Sequence, residues 1–489
     1  MVCLHQLDQS LLLNRKRKKV VMKVVFFGGG AHRYLSIARS ILAVPSLMDN
    51  GEINLYDLAV DRAEAVGKMA MKSPEYQNVN CKITWGSNLD EALDGADIVF
   101  VVLMAGSRRN FTQLCNVGNE HGFISSDQLS PSGAMLALKA GPILMDLAHR
   151  MEKLCPDAWL IDFANPVAVL SAAVNNHTSI NCLGVCQGYT NHQWDLPRML
   201  FGKDEQWSDF DIECAGVNHM SFIVSGSNYH GRNLFEIAAE KVTDDWSMPE
   251  LSNRWTPQTK EMIFNGVTKL ANLYRKYGQI VFSTEGDGLA HLDMQCYFDN
   301  IKVSKAQSPE ELDCGNRKFL ESRAKGDKMF QAWLDVNLDE TAWNLERPDA
   351  LYLLKSDEDI MVKITKALGG IEQLKIVSSC LNNGAVAGFT DRTVLEYSQV
   401  LNKDGIRPSG VSLEVPQVFQ GLVSSLASHQ TLLGDAIATK DPRILFEALY
   451  SYPVKQDTAD SKALWRDLLK IAAPEIPKEF QHTREMFLL

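Results

Sequence analysis

Met22-Lys-Val-Val-Phe-Phe-Gly-Gly-Gly-Ala-His-Arg-Tyr34 is the stretch on which the fold turns. Val24 to Phe27 is a short apolar run, long enough for one buried parallel strand. Gly28, Gly29 and Gly30 let the backbone turn sharply and approach a ligand closely. Tyr34 to Val44 reads as a helix, whose N-terminus would aim free N–H groups at an anion. A dinucleotide pyrophosphate is the usual anion at such a junction. The G-x-G-x-x-G pattern is incomplete, because Arg33 occupies the third glycine position, and a tight turn with no ligand is the competing reading. The next strand favours the dinucleotide. Ile53 to Asp57 reads as a strand ending in an acid, about where a carboxylate would hold the ribose hydroxyls of NAD. That acid favours NAD over NADP.

Composition narrows the class. At 489 residues the chain can bury a large core and should hold two or three domains. Apolar residues make up 45% and charged ones 22%, ordinary for a soluble globular enzyme. The net charge of −11 argues against nucleic acid as a main partner. No apolar run is long enough for a membrane span. Ten cysteines in a chain this long are no disulfide framework, so reduced thiols in the cytoplasm are the simpler reading. In residues 1–21 the basic cluster Arg15 to Lys19 follows Leu11 to Leu13, the reverse of secretory order. A nuclear or nucleic-acid tag is the alternative to a disordered, solvated extension, and the extension is favoured. Met22, directly before the first strand, reads as a plausible true start of the protein.

Downstream, Val60 to Lys72 is a helix, Cys81 to Trp85 a strand, and Asn88 to Asp94 a short helix. Asp97 to Leu103 is a strongly apolar strand, residues 133–153 a long helix, and Ala158 to Phe163 another buried strand that ends in Asn165-Pro166. This alternation predicts a Rossmann-like, doubly wound parallel sheet over 22–200. Ligands bind outside the carboxyl ends of such strands, although Asn165 taken alone reads better as a turn or cap before Pro166. Two further tips follow, Leu183 to Gly188 around Cys186 and Cys214 to Met220 around Asn218 and His219. A lone cysteine or histidine is usually core or surface. One of each at the end of an apolar stretch could share a metal, and their separation points to an open site assembled by the fold. Beyond about residue 200 helical patterns dominate, giving a mostly helical α+β catalytic domain over 201–489. Val281 to His291 breaks the pattern: Glu285, Asp287 and His291 stand among Gly286 and Gly288. Three titratable groups there could supply an acid or base, and a solvated loop is an equal reading.

Taken together these tips resemble the family 4 glycoside hydrolases, the NAD- and divalent-metal-dependent glycosidases that depart from two-carboxylate hydrolysis. The resemblance runs from Lys23 to about Tyr452. It is carried by Val24 to Gly30, Leu55-Tyr-Asp57, Asp94-Gly-Ala-Asp97, Cys155-Pro-Asp-Ala-Trp159, Asn165-Pro166, Gly184-Val-Cys186, Ala215-Gly-Val-Asn-His219, Asn383-Gly384 and Leu413-Glu-Val-Pro416. It implies that Cys186 and His219 hold the metal, usually manganese, and that Asn165 contacts the sugar with Asn218 nearby. The chain also departs from the family pattern. Ala31-His32-Arg33 replaces the common Ser-Thr, Ser130-Pro-Ser-Gly133 replaces Gly-Pro-Gly-Gly, and Lys139, read as substrate-binding, stands where arginine is usual. Gln187 follows the metal cysteine where many members carry Asp, Asn or His, and glutamine cannot serve as a carboxylic acid. The tyrosine base of the phospho-sugar branch has no clear match, so Asp287 is the candidate base and Tyr277 a distant second.

The implied mechanism is oxidation at sugar C3 by NAD, metal polarisation of the C2 and C3 oxygens, loss of the C2 proton to a base, and elimination of the glycosidic oxygen. Water then adds and the hydride returns. A thiolate ligand implies a preference for reducing conditions. The rivals are an NAD-dependent dehydrogenase of a hydroxy acid or sugar, and a nucleotide sensor without catalysis. The absence of a recognisable phosphate pocket leans towards unphosphorylated hexosides or uronides. The resemblance also implies a homodimer or homotetramer.

Overall fold

A computed structural model of the chain describes residues 21–486, except 187, 203–208, 249–256, 284–285, 290, 292–304, 340–341, 344–351, 358, 411 and 454–460. The basic cluster at 15–19 and Gln187 and Glu285 therefore lie outside the described residues.

Six parallel strands form the first half of the sheet: β1 (Lys23–Phe27), β2 (Glu52–Tyr56), β3 (Lys82–Gly86), β4 (Ile98–Val101), β5 (Trp159–Asp162) and β6 (Asn181–Gly184). Val24, Val25 and Phe26 have no exposed surface, as a strand covered by helices on both faces requires. The covering helices used below are α1 (Tyr34–Leu42), α2 (Val60–Lys72), α3 (Arg108–Glu120), α4 (Pro131–Leu154) and α5 (Val167–His177). Pro131 at the first position of α4 fits the helix start, where its missing N–H costs nothing.

The sheet does not stop at residue 200. β7 (Cys214–Val217), β8 (Met220–Ile223), β9 (Ile280–Ser283), β10 (Leu374–Leu381), β11 (Val394–Asn402) and β12 (Gly405–Pro408) continue it. Among the described residues the order is β9-β8-β7-β11-β10-β6-β5-β4-β1-β2-β3, with β12 on β11, twelve strands in all. The added strands pair antiparallel. The second half is helical as expected, with α6 (Pro257–Tyr277), α7 (Pro309–Leu334), α8 (Gln420–Thr439) and α9 (Ser461–Ala472). α8 packs on α4 and α5, so the two halves of the chain share one core. Of the described residues, no helix is long and apolar enough to cross a membrane.

Candidate active site

The glycine-rich turn has little room for anything but glycine. A Cβ on Gly28 would lie 2.1 Å from the Val102 carbonyl oxygen, and its φ of +88° is one that side chains avoid. A Cβ on Gly29 would lie 2.6 Å from Leu55 Cα. The turn is tied to β2 by Gly28 N and Gly29 N, which donate to the Tyr56 carbonyl at 2.9 and 2.8 Å. Asp57 accepts from Gly30 N and Ala59 N, both at 2.8 Å, so the acid that ends β2 also shapes the turn. At the start of α1 the N–H groups of His32 and Arg33 have no acceptor among the described residues. Free donors at a helix start beside a bare-backbone cradle suit a dinucleotide pyrophosphate.

At the carboxyl edge of β6 and the turn between β7 and β8, two distant residues meet. Cys186 Sγ lies 3.6 Å from His219 Nε2. His219 stands in the two-residue turn between paired Val217 and Met220, with a left-handed backbone at φ 68°. That conformation costs a residue with a side chain about 1–2 kcal/mol. β9 runs antiparallel to β8 and brings Ser283 beside Ser221, so the segment after it reaches His219. There Asp287 Oδ1 lies 2.9 Å from His219 Nδ1. A Cβ on Gly288 would fall 1.9 Å from the His219 carbonyl oxygen, so this approach needs a glycine.

Asp287 has no exposed side-chain surface. Its Oδ1 also accepts from Gly288 N at 3.0 Å, and its Oδ2 accepts from Leu129 N at 2.8 Å and from the Ser126 hydroxyl. Burial alone would raise its pKa, but the His219 charge and these hydrogen bonds hold it down at about 2. Burial would lower the His219 pKa, but Asp287 and Cys186 together lift it well above the usual histidine value. The carboxylate expected as a free base is thus a saturated anion beneath an imidazole, the usual partner of a metal-bound histidine.

Asn165, joined to Pro166 by a cis peptide, completes the near side. Its Nδ2 donates to Asp127 Oδ2 and its Oδ1 accepts from Gln128 Nε2, both at 2.6 Å. Gln128 Nε2 also lies 3.8 Å from Cys186 Sγ, and Gln128 Oε1 accepts from Val167 N. Asn218 Nδ2 donates to Glu396 Oε2 at 2.8 Å, which leaves its buried Oδ1 without a partner. A thiol and an imidazole converging at one point are donors for a divalent transition metal, and two protein ligands leave positions for substrate oxygens. No group of three His, Cys, Asp or Glu forms a closed metal cage among the described residues.

Two expected residues have partners of their own. Lys139, read as substrate-binding, has only 1% of its side chain exposed, and its ammonium is taken by Asn110 Oδ1 at 2.5 Å and Glu475 Oε2 at 2.8 Å. Tyr277 ends α6, before β9, so the length of β9 separates it from the Asp287 segment. Its ring meets Phe419 edge-on at 5.1 Å. Lys139 is thus held by an ion pair and a hydrogen bond, and Tyr277 by ring packing. The residues the sequence reading passed over are Ser126, Asp127 and Gln128. Their signal was four consecutive polar residues, Ser125 to Gln128, in a connection leading to an apolar helix, where a buried site needs hydrogen-bonding groups.

Residues 23–201 match the family 4 glycosyl hydrolase model, and 214–454 match the model of its C-terminal domain. The chain belongs to glycosyl hydrolase family 4. As a member of it, the protein is a glycoside hydrolase. An alpha-galacturonidase of Thermoanaerobacter italicus is 24% identical over 469 residues, covering 91% of this chain and 95% of that protein. One from Bacillus subtilis is 24% identical over 465 residues, covering 92% and 97%. Among solved structures, a 6-phospho-alpha-glucosidase from gut microorganisms, determined with NAD and Mn2+, superposes with a TM-score of 0.71 at 16% identity. The match covers 94% of this chain and 99% of that one. The family 4 fold, with its Rossmann-like sheet, is therefore shared over 94% of the chain.

Proposed function

We propose that this family 4 enzyme cleaves O-glycosidic bonds of unphosphorylated hexosides or uronides by transient oxidation at C3, with NAD and a divalent metal, usually manganese, as cofactors. The observation that carries the reading is the Cys186–His219 pair, 3.6 Å apart at the edge of a sheet whose glycine turn suits a dinucleotide. When bound, the dinucleotide supplies reversible hydride removal and the metal polarises the C2 and C3 oxygens.

The chain's own residues divide the remaining work. Gly28 to Gly30 and the start of α1 would seat the pyrophosphate, and Asp57 the ribose. Cys186 as thiolate and His219 through Nε2 would hold the metal, with Asp287 fixing the imidazole. Asn165 and Asn218 would orient the sugar. Asp127 is the better proton acceptor for C2. Its Oδ2 is anchored by Asn165, while its Oδ1 has no hydrogen-bond partner among the described residues. Asp287, with both oxygens occupied, would act only through His219. The substrate preference rests on two supports. Lys139, the cation expected at the sugar, is neutralised by Glu475, and two relatives at 24% identity are named alpha-galacturonidases.

The test is hydrolysis of nitrophenyl glycosides, uronides included, with NAD, manganese and thiol each omitted in turn. Turnover needing all three, without accumulation of reduced NAD, is expected. Reduced NAD rising in step with substrate loss would instead make the protein a dehydrogenase. Activity restricted to 6-phosphoglycosides would overturn the substrate assignment.

A further inference from the structure

Helix α7, from the second half of the chain, lies across the mouth of the nucleotide crevice. Near its start Asp313 receives Arg109 Nε of α3 at 2.7 Å, and Gln307 exchanges hydrogen bonds of 2.8 and 2.9 Å with Asn116 of the same helix. Near its end Asp327 Oδ1 receives Arg62 Nε of α2 at 2.8 Å and lies 3.0 Å from His32 Nε2. The His32 ring stacks on Phe330 at 3.9 Å, and Lys72 donates to the Leu334 carbonyl. α3 follows β4 and α2 follows β2, so α7 joins the two banks between which a dinucleotide would lie.

The Asp327 end sits over the adenosine corner. A Cβ placed on Gly30 would be 2.8 Å from Asp57 Oδ2 and 2.9 Å from Arg62 Cβ, so the turn, the ribose acid and Arg62 meet there. In dinucleotide folds an acid at this corner holds the ribose diol of NAD, whereas an arginine accommodates the 2′-phosphate of NADP. This chain carries both. Asp327 offsets the Arg62 guanidinium.

We propose that Asp327 is the specificity-determining residue for the dinucleotide: it occupies Arg62, adds a second carboxylate beside Asp57, and thereby rejects a 2′-phosphate. The inference rests on the NAD reading above and concerns the other end of the cofactor from the chemistry. Asp327 is a surface residue, with 39% of its side chain exposed, so neutralising it leaves the core intact.

The experiment is calorimetric titration of NAD and of NADP into the full chain, with melting curves as a folding control. The wild type should prefer NAD. Asp327→Asn should move the NADP-to-NAD affinity ratio towards NADP by about tenfold, the scale of one freed charge-assisted contact. Asp327→Glu should keep the wild-type ratio. Adding Arg62→Gln to Asp327→Asn should abolish the gain, which a merely structural role for α7 would not require. An unmoved ratio, equal weakening of both nucleotides, or a gain that survives loss of Arg62 would each overturn the assignment. Failure of the wild type to bind NAD at all would overturn the redox reading itself, and this inference with it.

Discussion

Replacing Asp287 by asparagine removes one charge at nearly constant volume, and the hydrogen-bond geometry forces a specific outcome. Asp287 Oδ2 serves two donors, Leu129 N and the Ser126 hydroxyl, and Oδ1 serves Gly288 N and His219. An asparagine has one acceptor oxygen. If it faces Leu129 and Ser126, the amide NH2 faces His219 and donates to Nδ1, which drives the imidazole proton onto Nε2. Nε2 is the atom 3.6 Å from Cys186 Sγ, and it must offer a lone pair to a metal. The other orientation turns the NH2 towards the Leu129 N–H. Either way one buried backbone N–H loses its acceptor, which costs about 1–3 kcal/mol. Loss of the orienting carboxylate should weaken metal binding by roughly 10- to 100-fold, or about 1.4–2.8 kcal/mol. The assay is manganese titration of Asp287→Asn beside the wild type, with thermal unfolding in chelator. A folded variant whose manganese affinity stays within about twofold of wild type would refute the positioning argument.

Three further outcomes follow from the same geometry. Without metal, the pair contributes stability in a bounded pH window. The Asp287 share, with its pKa held at about 2, is complete above 3.8 and lost as pH falls towards 2. The His219 share, with its pKa raised, is complete below 6.5 and lost as pH rises through the raised value. Chelator-treated protein should therefore lose thermal stability on both sides of that window, and saturating manganese should suppress the alkaline loss, because the metal takes the deprotonated imidazole. Gly28→Ala should abolish NAD binding and destabilise the fold by more than about 2 kcal/mol, since a methyl 2.1 Å from the Val102 oxygen cannot be accommodated at positive φ; calorimetry and a denaturant melt report the two effects separately. At the Lys139–Glu475 contact, Glu475→Ala should destabilise more than Lys139→Met. The first strands an ammonium with 1% exposure, while the second leaves a carboxylate that is 23% exposed and can be hydrated; urea melts of the two variants decide the order.

The parallel half of the sheet was legible because buried parallel strands announce themselves as apolar runs between helices. Val24–Phe27, Ile98–Val101 and Trp159–Asp162 all read this way. β10 and β11 did not. They carry serines, glutamate and glutamine on buried positions, so no clean alternation marked them, and their hydrogen bonds come from distant partners such as Ser398 to Cys214 and Ile212. Among site residues, Cys186 and His219 stood at strand tips, and the fold brings them together. Asp287 was legible as a titratable group in a glycine-rich loop, but its hydrogen-bond partners come from distant segments and were not. Lys139 was read as substrate-binding from its place in a resemblance, which could not disclose that Glu475 reaches it from the far end of the chain.

What the sequence determined by itself was local: the glycine turn, the acid after β2, and the residue types able to bind a metal, because these depend on backbone freedom and on chemistry within a few positions. What only the tertiary structure decided was occupancy. Whether a carboxylate is a base or a support, whether a lysine is free, and which arginine at the cofactor corner is already neutralised depend on groups hundreds of residues apart. Burial couples such groups strongly, since water no longer screens their charges or satisfies their hydrogen bonds.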